Sequence, residues 1–465
     1  MNKTAKRAGD SGAAAPGSRT LRAIPSVDAI LTSSLLSPII GRFGRGQVKE
    51  QLSLYLAALR GELAASGSGR DFQLEDCATS LAASLEQLQA PPLRRVINGS
   101  GVIIHTNLGR SPLDPAVWNA AAPVVCGYSN LEFDLETGER GSRDELLSSV
   151  TSQLFGCEAA LLTNNNAAGT LLLLAAVAAK REVIVSRGEL VEIGGSFRIP
   201  DVIQQGGAKL KEVGTTNRTR ASDYAGAASR RTAAILRVHR SNFDIVGFTE
   251  TPTVDALVEV SRSKGIPMLY DEGSGRVVDL ARYGFAAADT IRQLLARGVD
   301  VVTCSTDKLI GSTQGGLILG SAAIIDRCRR HPLMRALRAG KESYAVIAET
   351  LRIFASGKHE ELIPIYRMLS TPLEELRRRG RSIAGATTAR LADTRSVLGG
   401  GTTPTETIAS IGLELPGNAE AISGRLLHSE PPIVGRIAGD RFTLDLRTVL
   451  PEEDAAVREA LAALA

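Results

Sequence analysis

Between Ala160 and Ser305 the chain alternates short apolar runs with longer stretches able to form helices, and this rhythm leaves few folds open. The runs are Ala160–Thr163, Glu182–Ser186, Lys209–Val213, Ala233–His239, Ile266–Asp271 and Val299–Ser305. In most of them the apolar residues are continuous rather than alternating, which marks strands buried on both faces. The pattern predicts an α/β fold: a mainly parallel sheet with helices on both faces. Ligands of such sheets bind beyond the carboxyl ends of the strands. Polar residues gather at those ends, as Asn164-Asn-Asn-Ala-Ala-Gly169, Arg187-Gly-Glu189, His239-Arg-Ser-Asn242, Asp271-Glu-Gly-Ser-Gly275 and Ser305-Thr-Asp-Lys308.

Lys308 sits in a polar turn between the run ending at Ser305 and a second apolar run, Gly316 to Gly320. A lysine held rigidly at strand ends in a partly dry place can lose its proton and form a Schiff base with a carbonyl. Taken alone, the stretch reads equally as a surface lysine on a hairpin. Asp271, 37 residues earlier, could pair with a protonated heteroaromatic nitrogen, as pyridoxal phosphate requires, or merely cap a helix. The turn Asn164, Asn165, Asn166, Ala167 and Ala168 leads into an apolar helix, whose first N–H groups suit a phosphate; Asn-rich turns also simply cap helices. A phosphate turn, a strand-end acid and a strand-end lysine with Ser305 three residues before it follow the order of the aspartate-aminotransferase-like pyridoxal-phosphate enzymes. The chain resembles that group, the fold-type I class.

Charge divides the chain unevenly. Residues 1–70 carry +6 and residues 71–465 carry −2, so a basic N-terminal module precedes a near-neutral body. Such a module suits a polyanion, nucleic acid before membrane, although a basic tail without a partner has the same composition. The five cysteines and five histidines are scattered, with no Cys-x-x-Cys pair, so neither a disulfide framework nor a metal site is expected. No apolar run is long enough to span a bilayer, and the N-terminus leads into a polar Gly/Ala/Ser stretch rather than a hydrophobic signal core; a cytoplasmic protein is expected. The expected organisation is a disordered tail at 1–20, a helical N-terminal domain at 21–65, a linker and helix at 66–92, a catalytic domain at 93–360 and a small α+β domain at 361–465. Within the last, helical sequence runs to Arg381, Leu398–Pro404 marks a turn, and Ile408–Leu415, Ile433–Ile437 and Arg441–Leu446 read as strands.

Longer phrases sharpen the resemblance. Val96-Ile-Asn-Gly-Ser-Gly-Val-Ile-Ile-His-Thr-Asn-Leu-Gly-Arg110, Ser186-Arg-Gly-Glu-Leu-Val-Glu-Ile-Gly-Gly195, His239-Arg-Ser-Asn-Phe243, Asp307-Lys-Leu-Ile-Gly311, His331-Pro-Leu-Met-Arg-Ala-Leu-Arg338 and Leu444-Asp-Leu-Arg-Thr-Val449 are similar to the bacterial selenocysteine synthases. The likeness runs from Leu21 nearly to the C-terminus. It implies a pyridoxal-phosphate enzyme that converts L-seryl-tRNA(Sec) to L-selenocysteinyl-tRNA(Sec). The β-hydroxyl would be eliminated to an aminoacrylyl-tRNA, to which selenium from selenophosphate adds. Lys308 would anchor the cofactor and move protons, with Asp271 on the pyridine nitrogen. Asn164 to Ala168 and Ser305 would take the cofactor phosphate, and His239, Glu189 and Glu192 would line the site. The resemblance places Arg110, Arg335 and Arg338 on the selenium donor, the last two spaced i, i+3 on one helix face. It also implies tRNA binding by the N-terminal domain, which carries Leu21-Arg-Ala-Ile-Pro-Ser-Val-Asp28, and a homodecamer of dimers.

Three phrases depart from the family's usual wording: Gly311-Ser-Thr-Gln-Gly-Gly316, Gly340-Lys-Glu-Ser343 and Gly399-Gly-Gly-Thr-Thr-Pro-Thr-Glu406. Two other readings stand beside this one. One is a lyase of the same superfamily acting on a small amino acid or amino-sugar phosphate; the other is a tRNA-binding protein with a dead catalytic fold.

Overall fold

The computed structural model describes residues 24–66, 72–89, 91–195 and 197–464, so the expectation of a disordered tail at 1–20 lies outside the described residues. The chain divides into two compact units, one up to Arg94 and one from Arg95 onward.

The first unit is helical. Ser26 opens its first helix, Val27–Leu31, by accepting a hydrogen bond from the Ala29 N–H at 3.2 Å, which satisfies an otherwise unpaired donor. Val48, Leu52 and Leu56 recur every four residues along the helix Arg45–Ser66, and Cys77, Leu81 and Leu85 do the same along Leu74–Gln89. These stripes bury into one core with Ile30, Leu31, Leu36 and Phe43. The helix at 74–89 therefore packs with the helices before it, where the sequence had suggested a linker and a separate helix.

The second unit is built on a seven-stranded sheet. Its strands are β1 (Ala159–Thr163), β2 (Glu182–Ser186), β3 (Lys209–Val213), β4 (Thr232–Val238), β5 (Met268–Gly273), β6 (Val301–Ser305) and β7 (Gly316–Gly320), in the order β1-β7-β6-β5-β4-β2-β3. Only β7 runs antiparallel to its neighbours. Successive residues alternate faces: Leu161, Val183, Val185, Leu236, Leu269 and Ile318 pack against Leu172 and Leu173 of the helix Asn166–Ala178. Their neighbours Leu162, Ile184, Ile235, Met268, Val302 and Leu317 pack with Leu257, Leu294 and Leu351. Both faces are thus dry along the inner strands, which is why those read as apolar runs, while the edge strand β3 exposes Lys209 and Glu212.

A second sheet, wholly antiparallel, follows: β8 (Arg390–Gly399), β9 (Thr403–Leu415), β10 (Arg436–Ala438) and β11 (Arg441–Asp445), in the order β8-β9-β11-β10. Ile411, Leu413, Phe442 and Leu444 form its core with Leu376 and Ile383 of the helix Leu373–Ala384. Ile97 joins that core, because the strand Ile97–Asn98 pairs with Ile433–Val434. The expected division at 360 is not where the packing changes: Ile365, Tyr366 and Met368 of the helix Pro364–Ser370 still belong to the main core. Among the described residues no helix is long and apolar enough to cross a membrane.

Candidate active site

The carboxyl ends of β1, β4, β5 and β6 open on a cleft of about 270 Å³ lined by Arg110, Asn165, Asn166, Ala167, His239, Asp271, Ser305 and Lys308, along with Ile193, Ser241 and Gln314. Eight residues expected from the sequence, far apart in the chain, thus meet in one place.

After β1 the chain turns through the asparagines. The Asn165 side chain accepts from the Ala168 N–H at 2.9 Å and so caps the helix Asn166–Ala178. A Cβ at Gly316 would lie 2.1 Å from the Asn165 carbonyl oxygen, so glycine is needed where β7 begins beside this turn. Asn166 Nδ2 donates to Asp271 at 2.8 Å, while Asn166 Oδ1 is buried with no hydrogen-bond partner. Thr303 and Thr170 add longer bonds to Asp271, at 3.3 and 3.4 Å. All three donors are neutral, and burial pushes the Asp271 carboxyl up against the opposing pull of these bonds and of Lys308. Among the described residues no ion pair holds this carboxylate; Lys308 is the cation that acts on it.

Lys308 is 7% exposed, on a loop between β6 and β7 whose backbone is fastened on several sides. Its carbonyl accepts from Ser111 Oγ at 2.6 Å, Tyr366 donates to the next carbonyl, that of Leu309, at 2.7 Å, and the Leu309 N–H bonds Ser274. The amine is less tied: Nζ donates to the Gly401 carbonyl at 3.3 Å. Burial holds its pKa below the ordinary lysine value, helped by the Arg110 charge and opposed by Asp271, Asp307 and Glu272. Arg110 itself pairs with Asp307, the residue before the lysine.

The remaining expected residues lie elsewhere. Asn164 and Ala168 belong to the turn but do not line the cleft; Asn164 accepts from Gln314 at 3.2 Å and its N–H bonds Leu337. Glu189 is buried behind the cleft, paired with Arg237 at 3.1 Å and accepting from the Val238 N–H at 3.2 Å. Glu192 is exposed and paired with Arg198. Arg335 is exposed on the helix Met334–Leu337, which stops before Arg338; that residue is extended, at φ −68° and ψ 141°. The two arginines therefore do not share a helix face. Arg338 does stand beside the asparagine turn, opposite Thr163, with its guanidinium 3.2 Å from Glu132, an acid that also holds Arg140 and Arg143.

Several site residues were not singled out in the sequence. Gln314, Thr170, Thr303, Ser111 and Tyr366 act by tertiary contact alone. Gly401 lies within the stretch read as a turn and as a departure from the family's usual phrase, with no role of its own assigned.

The assembled groups make specific demands. An amine of lowered proton affinity suits a carbonyl carbon, a helix start suits an anion, and a buried acid suits a cationic ring nitrogen.

The comparisons agree. Residues 96–450 match the family described as L-seryl-tRNA selenium transferase, and residues 21–60 match the selenocysteine synthase N-terminal family. The L-seryl-tRNA(Sec) selenium transferase of Geobacter sulfurreducens is 45% identical, over 95% of this chain and 98% of its own. That of Carboxydothermus hydrogenoformans is 39% identical, over 94% and 96%. Among solved structures, a D-glucosaminate-6-phosphate ammonia-lyase superposes with a TM-score of 0.61 at 22% identity, covering 82% of this chain and 97% of its own; at that identity the likeness speaks for the fold. Sequence along almost the whole length and fold thus point the same way, and the chain belongs to the L-seryl-tRNA selenium transferase family.

Proposed function

We propose that this protein is a pyridoxal-phosphate enzyme that replaces the hydroxyl of serine, esterified to tRNA(Sec), with selenium from selenophosphate. The observation that carries this reading is the buried pair of Lys308 and Asp271 at the sheet's carboxyl edge, in a chain alike to selenium transferases over 95% of its length. That span includes the N-terminal helices, which weighs against a lyase for small substrates. The intact pair weighs against a dead enzyme.

Pyridoxal phosphate, when bound, supplies a carbonyl carbon for an amine and a cationic ring that draws electrons from the serine α-carbon. The residues fit it: Lys308 Nζ for the carbonyl, Asp271 for the ring nitrogen, and Ser305 with the first N–H groups of the Asn166–Ala178 helix for the phosphate. Asn166 steadies Asp271, and its free Oδ1 is available to the ring side. His239 lines the cleft wall beside Asp271, to whose carbonyl its own N–H donates at 2.9 Å. Lys308 Nζ, whose hold on its proton burial weakens, takes the α-proton of the seryl group and returns a proton to the departing hydroxyl, which leaves as water. The selenium of selenophosphate then bonds the β-carbon while a proton returns to the α-carbon, and water breaks the Se–P bond to release phosphate.

Arg110 offers the donor a planar cationic fork at the cleft. Arg338 and Arg335 are assigned to the same anion. Glu132 already serves Arg140 and Arg143, so Arg338 can exchange it for the donor. Glu189 acts from behind, setting β4 through Arg237 and Val238.

The first unit is assigned to the tRNA. Arg45, Lys49 and Arg60 are exposed on one helix, suited to phosphates rather than bases. Deleting residues 1–94 is expected to weaken seryl-tRNA(Sec) binding by at least about tenfold and to flatten its salt dependence. Cofactor retention, which rests on the second unit, stays. Equal tRNA affinity in the deleted protein, measured by filter binding across a salt series, would remove this assignment. A cytoplasmic homo-oligomer, a ring of dimers, belongs to the same reading; fully exposed Tyr128, Val246 and Phe248 support like-chain contacts.

The test is direct. Purified protein with pyridoxal phosphate, seryl-tRNA(Sec) and selenophosphate should yield selenium-labelled aminoacyl-tRNA. Serine recovered unchanged from the tRNA overturns the reading.

A further inference from the structure

The glycine turn between β8 and β9 belongs to the small antiparallel sheet, yet it reaches the lysine on the large one. Gly401 carries the oxygen that receives Lys308 Nζ, at 3.3 Å across 93 residues of sequence. Its φ of +87° is one that side chains rarely adopt, and a Cβ there would sit 2.6 Å from Nζ and 3.0 Å from Cε. Only glycine brings a backbone carbonyl this close to the amine.

The turn is also fixed relative to the catalytic strands. The Gly401 N–H donates to the Ser241 carbonyl at 3.0 Å. His239 Nε2 lies 2.9 Å from the Thr402 carbonyl, which can only accept, so that nitrogen carries the proton. Thr402 Oγ1 closes the turn on Gly399 at 2.6 Å. His239 and Ser241 follow directly from β4, whose Val238 is paired with Asp271. The carbonyl is therefore held in register with the acid that faces the ring.

A neutral acceptor differs in kind from a carboxylate at this place. A carboxylate would keep the lysine as a paired ammonium, unable to accept a proton. A carbonyl takes one N–H from the neutral amine and leaves its lone pair aimed elsewhere. Of the acids that act on Lys308, Asp271 is held by Asn166 and the neighbouring Asp307 is engaged by Arg110.

We infer that the Gly401 carbonyl is the rest position of the Lys308 amine whenever that amine is free, and that it aims the nitrogen at the substrate α-carbon. Gly401 is thus a positioning residue for the proposed reaction, with Thr402 as its brace; the inference rests on that reading.

The experiment uses full-length protein carrying Gly401→Ala, Thr402→Val or Thr402→Ser. Gly401→Ala should bind pyridoxal phosphate at the wild-type stoichiometry yet lose roughly 10- to 100-fold in kcat, because a misplaced base costs that much. KM for seryl-tRNA(Sec) should stay within about twofold, the split expected when substrate binding is untouched. With α-deuterated serine on the tRNA, the isotope effect on kcat should rise, because proton removal becomes the slow step. Thr402→Val should move the same quantities by less, and Thr402→Ser should restore them.

A second readout needs no turnover: the rate at which cofactor-free protein captures added pyridoxal phosphate, followed against pH. Displacing the acceptor destabilises the ammonium, so the midpoint should move to lower pH in Gly401→Ala and Thr402→Val. An unchanged isotope effect and an unchanged midpoint in both variants, beside a wild type that makes selenocysteinyl-tRNA, overturn the inference. A wild type that incorporates no selenium overturns the functional reading instead.

Discussion

Lys308→Ala is expected to reduce selenium incorporation by at least about a thousandfold, since it removes both the amine that captures the cofactor and the base that moves the α-proton. Borohydride should fix pyridoxal phosphate to the wild-type chain, adding its mass to the peptide that contains Lys308, and should fix none to the variant. The loss should be chemical rather than a failure to fold, because the loop is held without the lysine side chain. Ser111 and Tyr366 bind backbone carbonyls there. The hydroxyl of Thr306 donates to the Thr313 carbonyl at 2.6 Å, the Ser312 N–H donates to the Thr306 carbonyl at 2.9 Å, and Thr350 Oγ1 meets Ser312 Oγ at 2.9 Å. Ser312 and Thr313, which depart from the family's usual phrase, are thus built into the loop by side-chain and backbone hydrogen bonds. Circular dichroism and melting should show the variant folded; a variant that keeps wild-type incorporation would end the case for Lys308.

The contrast between what could and could not be read from sequence follows physical lines. β1 to β6 begin within two residues of the apolar runs, because strands inside the sheet are dry on both faces; only the edge strand β3 carries charges toward water, at Lys209 and Glu212. β8 escaped notice because Arg390, Asp393 and Arg395 interrupt it: it is paired on one side only and carries charges toward water. The cleft's corners were legible where a residue lies at or just beyond the carboxyl end of a strand, as Asp271, His239, Ser305 and Lys308 do. They were not legible where tertiary packing decides. Glu189 follows β2 as Asp271 stands near the end of β5, yet Arg237, 48 residues on, draws it inward. Arg338 looks helical by spacing, but the chain straightens there to lie beside Thr163. Gly401 gives no local hint that its turn crosses to the other sheet.

Asp271→Asn should separate stability from activity, and the two effects should have opposite signs. The side chain is nearly isosteric, so the hydrogen bond from Asn166 and those from Thr170 and Thr303 need only modest adjustment. What changes is charge. Burial raises the carboxyl above its ordinary value of 3.8, so the folded state holds this proton to higher pH than the unfolded chain does. Stability contributed by the protonated acid is full below that ordinary value and is lost as pH rises through the folded one. At neutral pH the cofactor-free wild type therefore lacks part of that contribution, and cofactor-free Asp271→Asn, which has no acid to ionise, should melt higher than cofactor-free wild type. The gap should close as pH is lowered toward the ordinary carboxyl range. Bound pyridoxal phosphate reverses the balance, because a cationic ring nitrogen compensates the acid and has no such partner in asparagine. Cofactor should then stabilise wild type more than the variant, and selenium incorporation should fall by about 10²- to 10³-fold, as when a preorganised charge is removed from a reacting centre. Equal melting of the two cofactor-free proteins at neutral pH would mean that Asp271 is not an uncompensated charge. Undiminished incorporation would mean that its charge does not serve the ring.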